Sequence, residues 1–253
     1  MAAEEFKNRD LKGSRFEHVD LSDAWFHNLL FSDVRITGAW AVNLVIEAEI
    51  GESLLVNDVN VVPYVESQLN ERYPDRATVF AVRKGDADSF RAAWAIDQKA
   101  WAKTVERARR LPEEKLHEQV DGEWSFIQTL RHLVFATDSW IRRALQGDPS
   151  PHHPLGLPFS EMGDIPGVPN DPDARPSLDE VLALRADRMQ GVSDVIEGLT
   201  DEQLEGLTEP VAEVGYPASE SFPVRRCVAA IVIEEWEHNL FANRDLAVLE
   251  AGG

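Results

Sequence analysis

Hydrophobic positions in the first fifty residues recur at an interval of five. Steps of five residues meet an apolar side chain each time, at Phe6, Leu11, Phe16, Leu21, Phe26, Phe31, Ile36, Ala41 and Ile46. This period matches neither the 3.6-residue repeat of an amphipathic helix nor the two-residue alternation of a strand. A short fixed period favours a solenoid, in which successive coils stack equivalent side chains along one axis.

The same segment resembles a pentapeptide repeat, most clearly in RDLKGSRFEHVDLSDAWF. The resemblance implies a right-angled β-helix over residues 1–50, with a little over two coils. Charged residues, Glu4 and Arg9, replace the usual small residue in the earliest repeats. Some pentapeptide-repeat proteins mimic DNA, but five basic and nine acidic residues give this segment only a mild charge of −4. A structural cap or a homodimer surface is therefore the expected role.

Residues 51–85 are predicted to connect this solenoid to a second domain. Two short apolar runs flank Asn57-Asp58, which is typical of a hairpin turn. A short helix is expected to begin at Pro63 and to end before Pro74. The stretch 74–87 has the composition of a linker.

Residues 86–253 contain four long amphipathic segments, which predict an antiparallel four-helix bundle. Capping-box pairs at Ser125/Gln128, Ser177/Glu180 and Thr200/Gln203 mark helix starts. The four helices are expected near 88–111, 125–145, 177–198 and 223–249. With the solenoid, the predicted fold class is a multidomain α+β protein. A long segment rich in proline and glycine, 146–176, separates the second and third helices, and such loops often form lids or walls of sites.

Composition narrows the classes of partner. The formal charge of −20 and the pI of about 4.7 disfavour nucleic acid and anionic membranes as partners. The chain has no apolar run long enough for a membrane span, and MAAEEFKNRD lacks a signal-peptide pattern. A single cysteine, Cys227, allows no internal disulfide, so a cytoplasmic protein is expected. Its expected partner is a small-molecule substrate.

The last helix carries a carboxylate and an imidazole where its apolar stripe should continue. The stripe Val224, Cys227, Ile231 leads directly to Glu234 and His238. Burying an unpaired carboxylate costs several kcal/mol, so a compensating partner is expected. The i, i+4 spacing directs both side chains to one place, as in helical metal-binding motifs.

The second predicted helix offers the missing partner, His132. Two imidazoles and one carboxylate suit zinc, nickel, iron or manganese, with zinc or nickel preferred, and leave a coordination position open. The alternative is structural: His132 would be an ordinary hydrogen-bonded residue, and Glu234 and His238 a pair on a solvated face. The neighbouring Glu235 and Glu237 are predicted to face solvent.

Further residues are candidates for supporting roles. Gln128 and Ser139 lie on a half-polar face of the second helix, which suits the wall of a cavity. Asp97, alone in the apolar stripe of the first helix, is expected either to orient a metal ligand or to pair with an arginine. His152 and His153 are candidate substrate contacts, or residues of a solvated loop.

Two segments, GEWSFIQTLRHLVFATDSWIRRAL and PVRRCVAAIVIEEWEHNLFANRDLAVLE, resemble the DinB-like four-helix superfamily across about residues 86–250. Within it, the mycothiol-dependent maleylpyruvate isomerases use two histidines and one glutamate in this order. The resemblance therefore implies that His132, Glu234 and His238 bind a metal that activates a thiol or water. It also implies a thiol cosubstrate such as mycothiol.

Two classes of function remain open from the sequence. The leading hypothesis is a metal-dependent thiol S-transferase, isomerase or hydrolase that acts on a small electrophilic molecule. The alternative is a non-catalytic metal-binding scaffold or protein-interaction module. A third hypothesis, an acidic inhibitor of a DNA-binding enzyme, would require residues 1–50 to act alone.

Overall fold

The computed structural model describes residues 4–26, 29–48 and 52–252. The chain divides into two compact units, Met1–Gly51 and Glu52–Gly253. The second unit contains every helix and strand of the described residues, and no helix there is long and apolar enough to cross a bilayer.

The first unit does not form the predicted β-helix within its described residues. It contains no assigned strand, and all its described side chains are exposed. The large apolar residues of the five-residue ladder remain 41% to 76% exposed, from Leu11 to Ile36. A β-helix is stabilised by strands that pair between coils and by a ladder buried inside them. Neither is present here, so the expected α+β solenoid is not supported.

The five-residue period nevertheless appears in the backbone of the first unit. Residues with φ between 51° and 77° recur at the same interval, at Asn8, Gly13, His18, Asp23, Asp33, Gly38 and Asn43. Asparagine, aspartate and glycine tolerate this left-handed region better than other residues do. The sequence repeat therefore corresponds to a repeated turn.

The second unit opens with the predicted hairpin. Strand β1 (Leu55–Val56) pairs antiparallel with β2 (Val59–Asn60). The turn residues Asn57 and Asp58 both have positive φ, at 48° and 64°. Such angles define the turn that matches the twist of paired strands.

The segment 74–87, predicted as a linker, is instead largely helical. Helix α1 (Val62–Arg72) corresponds to the short helix expected from Pro63, and α2 (Arg76–Phe80) and a 3₁₀ helix (Ala81–Arg83) follow it. Val79 and Val82 are fully buried in the main core. These apolar side chains anchor the stretch to the helical domain, which is why it does not behave as a linker.

Four long helices make the body of the second unit. They are α3 (Ala87–Ala108), α4 (Phe126–Thr137), α5 (Leu178–Gly198) and α7 (Val224–Ala251), with the short α6 (Asp201–Leu204) before the last. A second 3₁₀ helix (Glu113–His117) follows α3. In the ring of packed helices, α7 contacts α3 and α4, and α5 contacts the same two. All three predicted capping boxes are present, at the starts of α4, α5 and α6.

Helix α4 continues as a π-helix, Asp138–Leu145, rather than as the single α-helix that the sequence predicts. The wider turn is fixed by polar contacts of its first residue. Asp138 is fully buried and accepts hydrogen bonds from Arg188 Nε at 2.8 Å and from the His153 backbone at 3.0 Å. Insertions of this kind are frequent next to functional sites.

The loop 146–176 is held firmly against α4 by Arg131. This arginine is fully buried, and its guanidinium donates to the carbonyls of Leu155, Asp171 and Ala174. Leu157 N–H returns a bond of 3.1 Å to the Arg131 carbonyl. Phe135 packs on the loop residues Met162 and Val168. The loop is therefore a fixed wall over α4.

We predict that Arg131→Met loosens this wall. The variant leaves three carbonyls without the donor of a fully buried guanidinium, which should lower the free energy of unfolding by about 2–4 kcal/mol. Urea denaturation measures the loss, and amide exchange should show faster exchange at Leu157 than elsewhere. Arg110→Met, at an exposed arginine, is the control and should change little. Equal free energies of unfolding for the two variants would contradict the role of Arg131 in holding the loop against α4.

Candidate metal centre

Three potential metal ligands converge between α4 and α7. His132 lies on α4, and Glu234 and His238 lie one turn apart on α7. One donor atom from each residue lies within 4.8 Å of the others, and no other such group occurs in the described parts of the chain. Glu234 Oε2 is 3.7 Å from His132 Nε2 and 3.2 Å from His238 Nδ1. The structure thus brings together the three residues that the sequence singled out.

Backbone carbonyls set the proton position on both imidazoles. His132 Nδ1 is 3.0 Å from the Leu157 carbonyl, and His238 Nδ1 is 2.9 Å from the Glu234 carbonyl. Because a carbonyl only accepts, each Nδ1 must carry a hydrogen. In a neutral His132 the lone pair is then on Nε2, which faces Glu234 Oε2 at 3.7 Å. In His238 the atom that faces this oxygen is Nδ1, at 3.2 Å. Such orienting bonds are usual for histidines that bind metals.

The protonation states also suit a metal. Burial, reinforced by the charge of His132, lowers the pKa of His238 to about 4. Burial alone would raise the pKa of Glu234, but its contacts with His132 and His238 lower it overall. At neutral pH, His238 is therefore neutral and Glu234 ionised. The Glu234 side chain is 37% exposed, against 9% for His132 and 16% for His238, so the cluster opens on the Glu234 side.

Glu235 is not the solvent-facing residue that the sequence predicted. It is 1% exposed and accepts two hydrogen bonds from Arg185, at 2.6 Å and 2.7 Å. Trp101 Nε1 donates to its backbone carbonyl at 3.1 Å. Glu237 is likewise partly buried. A signal was available, because Arg185 interrupts the apolar stripe of its own helix and requires a buried acid.

Asp97 was expected to orient a metal ligand or to pair with an arginine, and its hydrogen bonds show neither contact in the described residues. The side chain is fully buried, and both carboxylate oxygens lack a partner among the described residues. Burial raises the pKa of Asp97 well above its usual range, and the nearby charge of Glu235 raises it further. It forms no ion pair with an arginine and no hydrogen bond to the three ligands.

Gln128 and Ser139 also make contacts away from the three ligands. Gln128 completes the capping box with Ser125 and donates to the Pro172 carbonyl at 3.2 Å. Ser139 is fully buried, and its hydroxyl is 3.3 Å from His152 Nε2. These contacts hold the loop against α4 and its π-helical extension. His153 serves the same loop, since its Nδ1 accepts from Leu155 N–H at 3.1 Å.

Aromatic rings surround the imidazoles. The Trp124 ring centroid lies 4.4 Å from that of His132 and 6.1 Å from that of His238. Phe135 lies on the other side of His132, at 6.0 Å. The sequence favours packing over substrate stacking for Trp124. Its position immediately before the Ser125 cap was the available signal, because that cap fixes it about two helical turns before His132.

Cys227 cannot act as a nucleophile at this site. The side chain is fully buried, and burial raises the pKa of its thiol to about 11 despite the neighbouring Arg226. Thiolate is the reactive form of cysteine, and it is scarce at neutral pH under these conditions.

We predict that Asp97→Asn changes the pH dependence of stability. An unfolded aspartate ionises near pH 4, whereas folded Asp97 keeps its proton to higher pH. The folded wild type therefore loses stability as the pH rises above about 4, and the asparagine variant avoids this loss. We expect the free energy of unfolding of the variant, relative to that of the wild type, to be higher at pH 8 than at pH 4.5 by on the order of 1–2 kcal/mol.

Urea denaturation at the two pH values measures this gain. Asp88→Asn is the matched control, since this aspartate lies on the same helix with its side chain 88% exposed. If the difference in free energy of unfolding between Asp97→Asn and wild type is the same at both pH values, Asp97 is not a buried neutral acid.

Comparison with known proteins agrees with the helical architecture. No curated protein and no solved structure matches the chain. The sequence pattern of the DinB superfamily matches residues 97–242, which is more than half of the chain and spans all three clustered residues. The chain therefore belongs to the DinB superfamily.

Proposed function

We propose that this protein is a metal-dependent enzyme that acts on a small electrophilic molecule, as a thiol S-transferase, isomerase or hydrolase. His132, Glu234 and His238 would hold the metal, with zinc or nickel preferred. The observation that carries the proposal is the convergence of these three side chains, with one donor atom of each within 4.8 Å of the others.

The donor set fits a divalent cation. Two neutral imidazoles and one carboxylate are common ligands of zinc and its neighbours, and catalytic sites keep a further position for substrate. A metal bound here would act as a Lewis acid and lower the pKa of a thiol or water that ligates it. The partial exposure of Glu234 supports access from solvent.

The residues of the chain would position the reactants. The Leu157 carbonyl holds His132 in one orientation, and Trp124 and Phe135 shield its ring from water. Arg185 is neutralised by Glu235, so this nearby cation does not compete for Glu234. Glu234 is left to neutralise part of the metal charge.

An external thiol is favoured because the protein offers none of its own. Cys227 is the chain's single cysteine, and it is buried with a raised pKa. A thiol-transfer reaction at this site would therefore need a low-molecular-weight cosubstrate. The resemblance to mycothiol-dependent isomerases supports a thiol of the mycothiol class.

We predict that the purified wild type binds one equivalent of zinc or nickel. Loss of a ligand in His132→Ala or Glu234→Gln should weaken binding by at least about 100-fold, more than the loss of an outer contact usually does. Elemental analysis and competition with a chelator give the stoichiometry and affinity. Glu237→Gln makes the same change on the same helix and should bind like wild type. Equal stoichiometric metal in His132→Ala would refute the ligand assignment.

We predict that the metal-loaded protein consumes free thiol in the presence of a small electrophile. Loss of thiol is followed with a chromogenic reagent across a panel of thiols that includes mycothiol. The apo protein and Glu234→Gln should show only the background rate, because neither can activate the thiol. Stoichiometric metal without turnover across the panel would instead favour the non-catalytic metal-binding scaffold.

A further inference from the structure

Four pairs of rings around the candidate metal centre lie within 25° of parallel, and two further pairs are tilted. The planes of His132 and His238 differ by 23°, and Trp124 is inclined by 25° to His238 and by 37° to His132. Beyond His132, Phe135 is inclined by 40° to it, and His152 and Tyr216 lie within 25° of Phe135. We call these six residues the ring stack.

One end of the ring stack reaches the surface. Trp124 is partly exposed, as is Glu234 beside it. Phe241, one turn beyond His238 on α7, is 49% exposed, and its ring lies 6.1 Å from that of His238. The accessible side of the cluster is thus bordered by aromatic faces and edges.

The charge of the site is the second observation. Glutamate binds a metal as a carboxylate, and histidine binds it as a neutral imidazole. A divalent ion held by the cluster therefore keeps one net positive charge. The nearby Arg185 is already paired with Glu235 and adds no further net charge.

From the parallel rings and this residual charge, we propose that the site selects flat, unsaturated monoanions, and that Trp124 is the residue that recognises their planarity. This proposal rests on the proposed function, because it requires a metal at the cluster. A planar group can lie parallel to the indole while its anionic end ligates the metal. A puckered saturated group of the same size cannot make that contact.

Three hydroxamates test the inference by binding alone. They share one metal-binding head, which loses its proton and ligates zinc as a monoanion, and they differ only in the attached group. Benzohydroxamate carries a flat ring, cyclohexanecarbohydroxamate carries a puckered ring of similar size, and acetohydroxamate carries a methyl group. Titration calorimetry on the full-length, zinc-loaded protein gives the three affinities, with the apo protein as the blank.

We expect benzohydroxamate to bind about two- to tenfold more tightly than the cyclohexane analogue, as contact between aromatic rings allows. In Trp124→Leu, which keeps apolar bulk but removes the ring, this ratio should fall to about one. Its affinity for acetohydroxamate should stay within about twofold of wild type. Phe80→Leu removes a ring from outside the ring stack and should keep the wild-type ratio.

The outcomes separate this inference from the proposed function. Equal binding of the flat and puckered analogues to the wild type overturns the inference and leaves the metal centre intact. Zinc at full occupancy with no hydroxamate binding overturns it as well, since the site is then closed to monoanions. Failure of the wild type to hold zinc overturns the proposed function itself. The comparison of benzohydroxamate with the cyclohexane analogue on the wild-type protein tests the inference even if Trp124→Leu does not fold.

Discussion

The candidate centre depends on the hydrogen bond from His132 Nδ1 to the Leu157 carbonyl, 3.0 Å long. This bond places the free lone pair of His132 on Nε2, toward Glu234. Arg131, the preceding residue, supports it by holding the loop 146–176 against α4 through three other carbonyls. The loop supplies no atom to the cluster, yet it fixes one of its ligands. Since the contacts use backbone oxygens, the site tolerates changes in the loop side chains better than changes in Arg131.

Buried charge imposes a second constraint on the helices. Helix α5 carries two buried arginines, and each meets an acid of another element: Arg185 pairs with Glu235, and Arg188 with Asp138. Paired charges of this kind contribute little net stability, but they fix how helices are placed, because breaking one leaves the other unpaired. Glu235 neighbours Glu234 in the chain, so its pairing with Arg185 also fixes the rotation of α7. That rotation directs Glu234 and His238 toward α4.

Much of this arrangement follows from local rules that a sequence displays. The capping boxes, the Asn57-Asp58 turn and the i, i+4 pair on α7 depend on residues within four positions of one another. The Arg185–Glu235 pair spans fifty residues and two helices, so the break in the apolar stripe at Arg185 indicates a buried acid but does not identify which one. The five-residue ladder failed in another way. It correctly implied a repeated backbone geometry, but a β-helix also needs pairing between coils and a buried ladder, which the repeat alone does not guarantee.

The burial of the protein's own nucleophiles supports chemistry on an incoming reactant. Cys227 and Ser139 are both fully buried, so neither can attack a substrate at the open side of the cluster. A covalent enzyme intermediate on either residue is therefore disfavoured. The centre presents two imidazoles and one carboxylate beside aromatic rings. Under the proposed function, such a site would orient and polarise two external reactants, so specificity would lie in the ring stack and reactivity in the external nucleophile.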